Sequence, residues 1–442
     1  MSNLLEKASI ITTPTAYSDG VLHSVKPSES PYADFTFTRN DAGTRVNASG
    51  NIESVGVDLP RIDYRGGSGS WLLEPQSQNL IKYSEDFSQG SYFTLTSASV
   101  SSSTITDPTE NQNSFKLIPD NGTGGNRSIG RNFLNLTNLH TFTCFAKKAE
   151  YNYLMLRTRN GPNPAVMFNL DNGTYNVSAT SVAFVGAKID DYGNGWYRCS
   201  ITLDPSQMNT VGQLFVSLSV GVTGNETNSF SGDGVSGVYI FGMQFEEQSY
   251  PTSYIATSGS PQTRAADIAL DAGSSDLINS TEGVLYAEIS ALTNELDGTY
   301  KVITLNNGIV DEYVLLGFTN TNNIYASVGG TFISSLTPSD ITAFNKVAVK
   351  YEDGNSKLFV NGVQVGATNT TATVPSGLNN LDFHTGTGGS PFDGKVKCVA
   401  VFKEALTDAE LTCLTTPNIS RIFNDRVLWD GGIIESLECV TL

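Results

Sequence analysis

Gly193-Asn194-Gly195-Trp196-Tyr197-Arg198-Cys199-Ser200-Ile201-Thr202-Leu203 sets the fold class. The Gly-Asn-Gly tripeptide tolerates left-handed backbone and reads as a turn. From Tyr197 to Leu203 polar and apolar residues then alternate, as a strand with one buried face requires. The same grammar extends outward in both directions. Phe35-Thr36-Phe37-Thr38 alternates, and residues 216–222 and 238–245 read as further strands. Asp120-Asn121-Gly122 and Asp171-Asn172-Gly173 supply more turns, while helical periodicity is nearly absent. The expectation is an all-β chain of two tandem antiparallel β-sandwiches, or jelly rolls.

Composition narrows the function. At 442 residues the chain suits two or three domains. Only 16% of residues are charged and 42 are Gly, so short polar side chains solvate the surface. With 26 basic against 44 acidic residues, the net charge of −18 repels phosphate backbones. A nucleic-acid partner is therefore not expected, whereas neutral glycans remain open. No apolar run approaches the ~20 residues that span a bilayer, and membrane insertion is not expected. The start, MSNLLEKASI, lacks a basic segment followed by an apolar one, so no secretion signal is read. Release from the host cytoplasm by lysis, as for virion parts, is the expectation. Cys144, Cys199, Cys398, Cys413 and Cys439 are odd in number and scattered. They read as small buried hydrophobes rather than a disulfide framework. Asn-x-Ser/Thr triplets, as at Asn47 and Asn121, arise by chance in so Asn-rich a chain.

Four regions follow. Residues 1–85 carry Pro14, Pro27, Pro31, Pro60 and Pro75, too many for a compact sheet, and read as an irregular anchoring and assembly segment. Residues 86–258 form the first sandwich, with an exit linker around Ser249 to Pro261. Residues 266–414 form the second, ending in a helix that starts at the capping box Thr407-Asp408-Ala409-Glu410. Residues 415–442 include Ile422, Phe423, Trp429 and Ile433, so this tail is expected to pack on its own sandwich or on a neighbouring subunit.

Three phrases carry a family resemblance. Residues 34–88, with DFTFTRNDAG, PRIDY and LLEPQSQNLIKYSEDFS, resemble the segment preceding lectin-like domains in phage tail fibres and head fibres. GNGWYRCSIT with VYIFGMQFEEQSYPTSYIATSGSPQTRAADI resembles the phage jelly roll that is similar to carbohydrate-binding modules. VAVKYEDGNSKLFVNGVQVG with FDGKVKCVAVFKEALTDAEL resembles the laminin-G or concanavalin A-like sandwich. The resemblance implies a virion fibre, spike or head-decoration protein. It also implies attachment to other virion proteins through the N-terminal segment, contact with host-surface glycans, and assembly as a homotrimer. A purely architectural decoration without ligand is the alternative, and a polysaccharide depolymerase ranks third.

No enzyme motif is complete. Glu295 and Asp297 begin an E-x-D-x-x-E glycanase pattern, but Tyr300 stands where the third acid belongs. Gly389 to Lys395 mimics GxxxxGK, but Val396 replaces the magnesium-holding hydroxyl. His23, His140 and His384 lack metal-spaced partners. Asp171-Asn172 and Asp190-Asp191 offer oxygens, which leaves calcium open. The expectation is a non-enzyme. Sugar rings stack on aromatic faces, so Tyr151, Tyr153 and Trp196 in the first sandwich are glycan candidates, with Trp196 also suited to closing a sheet. Tyr151 and Tyr153, one alternation apart, are expected on a common face. In the second sandwich Tyr300, Tyr313, Tyr325 and His384 are candidates because turns flank them.

Overall fold

The computed structural model describes residues 4–18, 20–27, 31–123, 126–134, 136–159, 164–180, 182–207, 211–219, 230–294 and 298–417. It is almost wholly β, with antiparallel sheets throughout. The chain divides into two compact units. One takes the described parts of residues 1–42, 55–75 and 265–442; the other takes residues 43–54 and 76–264.

The first unit is a sandwich of a nine-stranded and a five-stranded sheet. The larger sheet runs Val21–Lys26, Ala8–Ser18, Gly394–Phe402, Glu282–Ser290, Asn345–Glu352, Ser356–Val360 and Val363–Asn369. Arg61–Asp63 and Ser70–Leu73 join it beside Gly394–Phe402. The smaller runs Thr331–Leu336, Ile324–Val328, Tyr313–Phe318, Lys301–Asn306 and Asn380–Asp382. Between them pack Leu285, Ile289, Ile303, Leu305, Val314, Leu316, Ile324 and Val401.

Strand periodicity explains why parts of the larger sheet read as continuous apolar runs. In Glu282–Ser290, Leu285 and Ala287 face the inter-sheet core, while Val284 and Tyr286 face a second cluster with Leu411 and Leu414. A sheet buried on both faces loses the polar half of its alternation. Those leucines lie on the helix Asp408–Thr415, and its capping box forms: Glu410 N donates to Thr407 Oγ1, and Thr407 N donates to Glu410 Oε2 at 2.9 Å.

Residues 1–85 depart from expectation, because they contribute strands rather than an irregular segment. Proline count misled where proline placement decides. Pro14 falls where the pairing of Ala8–Ser18 with Val21–Lys26 is irregular, Pro60 precedes Arg61–Asp63, and Pro75 follows Ser70–Leu73. Proline is tolerated at such ends and bulges, where no ladder hydrogen bond is needed. The PRIDY and LLEP phrases meet TRAAD in a buried ion cluster. Arg61 donates to Glu74 at 2.7 Å and also bonds Asp267, which accepts from Arg39 at 3.0 Å. Each charge is paired and withdrawn from water, so removing one member strands the others.

The second unit is a jelly-roll sandwich of two six-stranded sheets. One runs Ala98–Ser102, Phe115–Pro119, Val238–Glu246, His140–Lys148, Trp196–Leu203 and Phe184–Asp191. The other runs Thr174–Ala179, Ala165–Asn169, Tyr153–Arg159, Val211–Ser219, Ser128–Leu134 and Thr94–Thr96. Phe142, Cys144, Leu154, Leu156, Phe168, Cys199, Ile201, Val216 and Phe245 fill the space between.

The stretch expected to be an exit linker is part of this unit. Thr252 N and Oγ1 donate to the two oxygens of Glu246 at 3.0 and 2.6 Å, and Ile255 N donates to Gln244 Oε1 at 2.7 Å. Asn79 completes the clasp, donating to the carbonyls of Met243 and Ile255 and accepting from Ile81 N and Phe245 N. Tyr254 is thereby laid over Phe145 and Phe241. Gly242 makes room, since at φ 58° a Cβ there would stand 2.9 Å from the Phe145 ring. Cys144, Cys199 and Cys398 are buried free thiols as expected, but Cys413 is disulfide-bonded. The apolar tail beyond residue 417, with Cys439, lies outside the described residues.

Candidate functional site

The five-stranded sheet of the first unit carries the site. Period-2 alternation divides Lys301–Asn306 into Ile303 and Leu305, which enter the inter-sheet core, and Val302, Thr304 and Asn306 on the opposite face. Register places Tyr313 opposite Asn306, Leu315 opposite Thr304, and Tyr325 beside Gly317. The outward face therefore has a floor of Val302 and Leu315, with Tyr313 and Tyr325 packed on it. Tyr300, just before the strand, brings its ring to 5.4 Å from that of Tyr325 at an angle of 59°. Three of the sequence candidates thus converge on one face. Tyr300 is 41% exposed and Tyr325 9%, so the cluster grades from open edge to floor.

A polar border runs along one side of the rings. Asn306 Nδ2 donates to Asp382 Oδ2 at 2.8 Å and to Thr304 Oγ1 at 3.0 Å, while Thr304 Oγ1 donates to the His384 carbonyl at 2.6 Å. His384 joins this face through its main chain, and its ring Nδ1 is buried without a hydrogen-bond partner among the described residues. Lys301, on the strand's other face, is buried and held by Asp393 at 2.6 Å. Burial raises the Tyr325 phenol, with Tyr313 and Tyr300 adding to the effect. Burial also raises the Tyr313 phenol, helped by the Asp311 carboxylate. Both hydroxyls stay protonated across the physiological range and can donate to sugar oxygens, while the rings offer stacking surface.

The first-sandwich candidates part company. Trp196 is only 1% exposed, so its face is closed to a sugar; it packs against Phe241 and donates Nε1–H to the Thr106 carbonyl at 2.9 Å. Tyr151 and Tyr153 do not share a face. Tyr151 meets Phe230 edge-on and packs against the inter-sheet core, whereas Tyr153 packs with Met155 and Met167 on the other side. The strand begins at Tyr153, so its alternation does not reach back to Tyr151.

Among the described residues no group of three or more His, Cys, Asp or Glu is placed to hold a metal ion. Of the calcium candidates, Asp171 bonds Lys148, Asp190 pairs with Lys188 at 2.9 Å, and Asp191 accepts from Gly193 N at 2.8 Å. Glu295 and Asp297 lie outside the described residues. Sequence reasoning missed the floor residues Val302 and Leu315 and the Asn306–Asp382 border. Alternation could have found the floor; the border pair needs the tertiary fold.

The family model of the concanavalin A-like lectin/glucanases superfamily matches residues 293–412, the stretch that holds this sheet. No curated protein matches the chain. Among solved structures, the CBM40 of the Ruminococcus gnavus IT-sialidase is similar at 21% identity and TM-score 0.26, over 31% of this chain and 84% of that one. The SAP-like pentraxin of Limulus polyphemus is similar at 13% identity and TM-score 0.26, over 31% and 71%. Trypanosoma rangeli sialidase is similar at 12% identity and TM-score 0.27, over 68% of this chain and 59% of that one. TM-scores of this size carry no argument about function.

Proposed function

We propose that this chain is a non-enzymatic, glycan-binding subunit of a bacterial-virus particle, a tail fibre, spike or head fibre, which assembles in the host cytoplasm and leaves by lysis. The observation that carries the glycan reading is the convergence of Tyr300, Tyr313 and Tyr325 on the outward face of the five-stranded sheet. Supporting it is the lectin/glucanase superfamily match over the same residues. The virion part rests on the three sequence phrases and their resemblance to fibre proteins. On this reading residues 1–85 attach the protein to other virion proteins, and homotrimers repeat the site. One stacked ring is worth only about 0.5–1.5 kcal/mol, so repetition is needed to raise avidity by roughly 10²–10⁴.

A glycan array with the recombinant chain tests the binding. The expected result is retention of neutral host-surface polysaccharides, and silence across the array sinks the lectin reading. The architectural alternative draws support from the phrases themselves, since Trp196, Arg61 and Asp267 are buried in structural roles. Cryo-electron microscopy of virions decides the location: density on head or tail supports the assignment, and absence from the particle removes it. Release of reducing ends from host capsule would instead revive the depolymerase.

A further inference from the structure

The second unit contains a pocket of about 460 Å³, lined by Asn51, the Thr104–Pro108 turn, Lys147, Tyr192, Gly193, Asn194 and Trp196. That volume lies in the range of small-ligand sites, roughly 300–1,000 Å³. Its walls come from separate stretches of chain that hydrogen bonds lock together. Ile52 N donates to the Pro108 carbonyl at 2.7 Å, and Asn51 Nδ2 donates to Glu110 Oε1 at 2.6 Å. Trp196 Nε1–H, bonded to the Thr106 carbonyl, ties the opposite wall to the same turn. The pocket is thus preorganised rather than assembled by a ligand.

Its charges are unequal in availability. The Asp107 carboxylate is saturated: Oδ1 accepts from Thr109 N at 2.7 Å, Thr109 Oγ1 at 2.6 Å and Asn111 N at 3.3 Å, and Oδ2 from Asn113 N at 3.0 Å. Lys147 is half-buried and, among the described residues, has neither ion pair nor side-chain hydrogen bond. The adjacent Lys148, by contrast, is paired with Asp171. The stem of Lys147 runs past Gly195, where a Cβ would stand 3.6 Å from Lys147 Cε. With the Asp107 carboxylate engaged by the donors of its own turn, the Lys147 ammonium is the group of this lining left to meet an incoming anion. Asn51, Thr104, Thr106 and Asn194 offer amide and hydroxyl groups for sugar hydroxyls. The lining holds one ammonium, one carboxylate and no guanidinium, so it can match at most a single negative charge, and the net charge of −18 opposes a polyanion.

We propose that this pocket is a second glycan site, selective for a saccharide residue that bears a carboxylate, and chemically distinct from the tyrosine face of the first unit. The proposal stands on the pocket alone and does not need the tyrosine face to bind. Calorimetric titration of the full chain with galacturonate, glucuronate and sialyl trisaccharides tests it, with the carboxyl-reduced form of each as comparison. The expected result is binding of at least one acidic form, at least tenfold weaker for its reduced form and for Lys147→Gln, and unchanged in Tyr300→Ala. Lys147→Arg, which keeps the charge, should retain binding and so separates lost charge from a damaged fold. Equal binding of acidic and reduced sugars, full affinity in Lys147→Gln, or no binding of any acidic trisaccharide overturns the proposal. Loss of neutral-glycan binding in Tyr300→Ala belongs to the tyrosine face, so the two failures remain distinguishable.

Discussion

The two sandwiches use aromatic residues in opposite ways. In the second unit, Trp196, Tyr254, Phe145 and Phe241 cover the outer face of a six-stranded sheet, and their polar handles are satisfied within the protein. In the first unit, Tyr300, Tyr313 and Tyr325 lie on the outer face of the five-stranded sheet with one ring open to solvent. The difference is what covers the sheet. Residues 249–258 return across the second unit and close it, held by Glu246, Gln244 and Asn79. An aromatic residue in a distinctive phrase is thus evidence of folding when its hydroxyl or N–H finds an internal partner. When the ring stays open, as at Tyr300, its face is left available to a ligand.

The comparison breaks most sharply at Trp196. Trp196→Ala should destabilise the second unit by about 3–5 kcal/mol through cavity formation and a stranded Thr106 carbonyl, seen as a lowered unfolding midpoint. Glycan retention by the tyrosine face should survive wherever the chain stays folded. The reverse is expected for Tyr300→Ala with Tyr313→Ala, which should weaken neutral-glycan binding by about 1–3 kcal/mol. Their effect on stability should stay near 0.5 kcal/mol, because neither ring lies in the inter-sheet core. Because the Tyr313 and Tyr325 phenols are raised by burial, wild-type binding should be flat from about pH 5 to about pH 9. A titration step inside that window would show that another group contacts the sugar.

Smaller effects sharpen the contrast. Thr407→Ala removes the helix cap that holds Leu411 and Leu414 on the larger sheet, and should cost the first unit about 1 kcal/mol. In the second unit, burial lowers the His140 pKa below its ordinary 6.5, with the ring 4.9 Å from that of Phe245. The unfolded chain then binds more protons in mildly acidic solution, so this contribution is intact above pH 6.5 and lost as pH falls through the folded value. Unfolding curves of His140→Gln should lack that part of the acid sensitivity.

Most of the fold was legible because period-2 alternation and Gly-Asn turns are local signals, as in residues 193–203. The Thr407 capping box was legible for the same reason. What escaped depends on contacts distant in sequence. Arg61, Glu74 and Asp267 form one cluster across roughly two hundred residues, and strands such as Ala8–Ser18 looked irregular until their pairing with Gly394–Phe402 was visible. Three of the seven candidate aromatics and histidine converge because two of them lie within alternating strands; Tyr151 failed because the strand starts after it. The pocket at Lys147 was invisible, since Asn51 reaches Trp196 only through the folded chain.

The most direct measurement of the central claim is neutral-glycan retention on an array by the wild-type chain and by Tyr300→Ala, a substitution at an exposed ring outside the core. Retention by the wild type that is lost in Tyr300→Ala, at an unchanged unfolding midpoint, is the predicted result. Equal retention by both chains, or none by the wild type, contradicts the account.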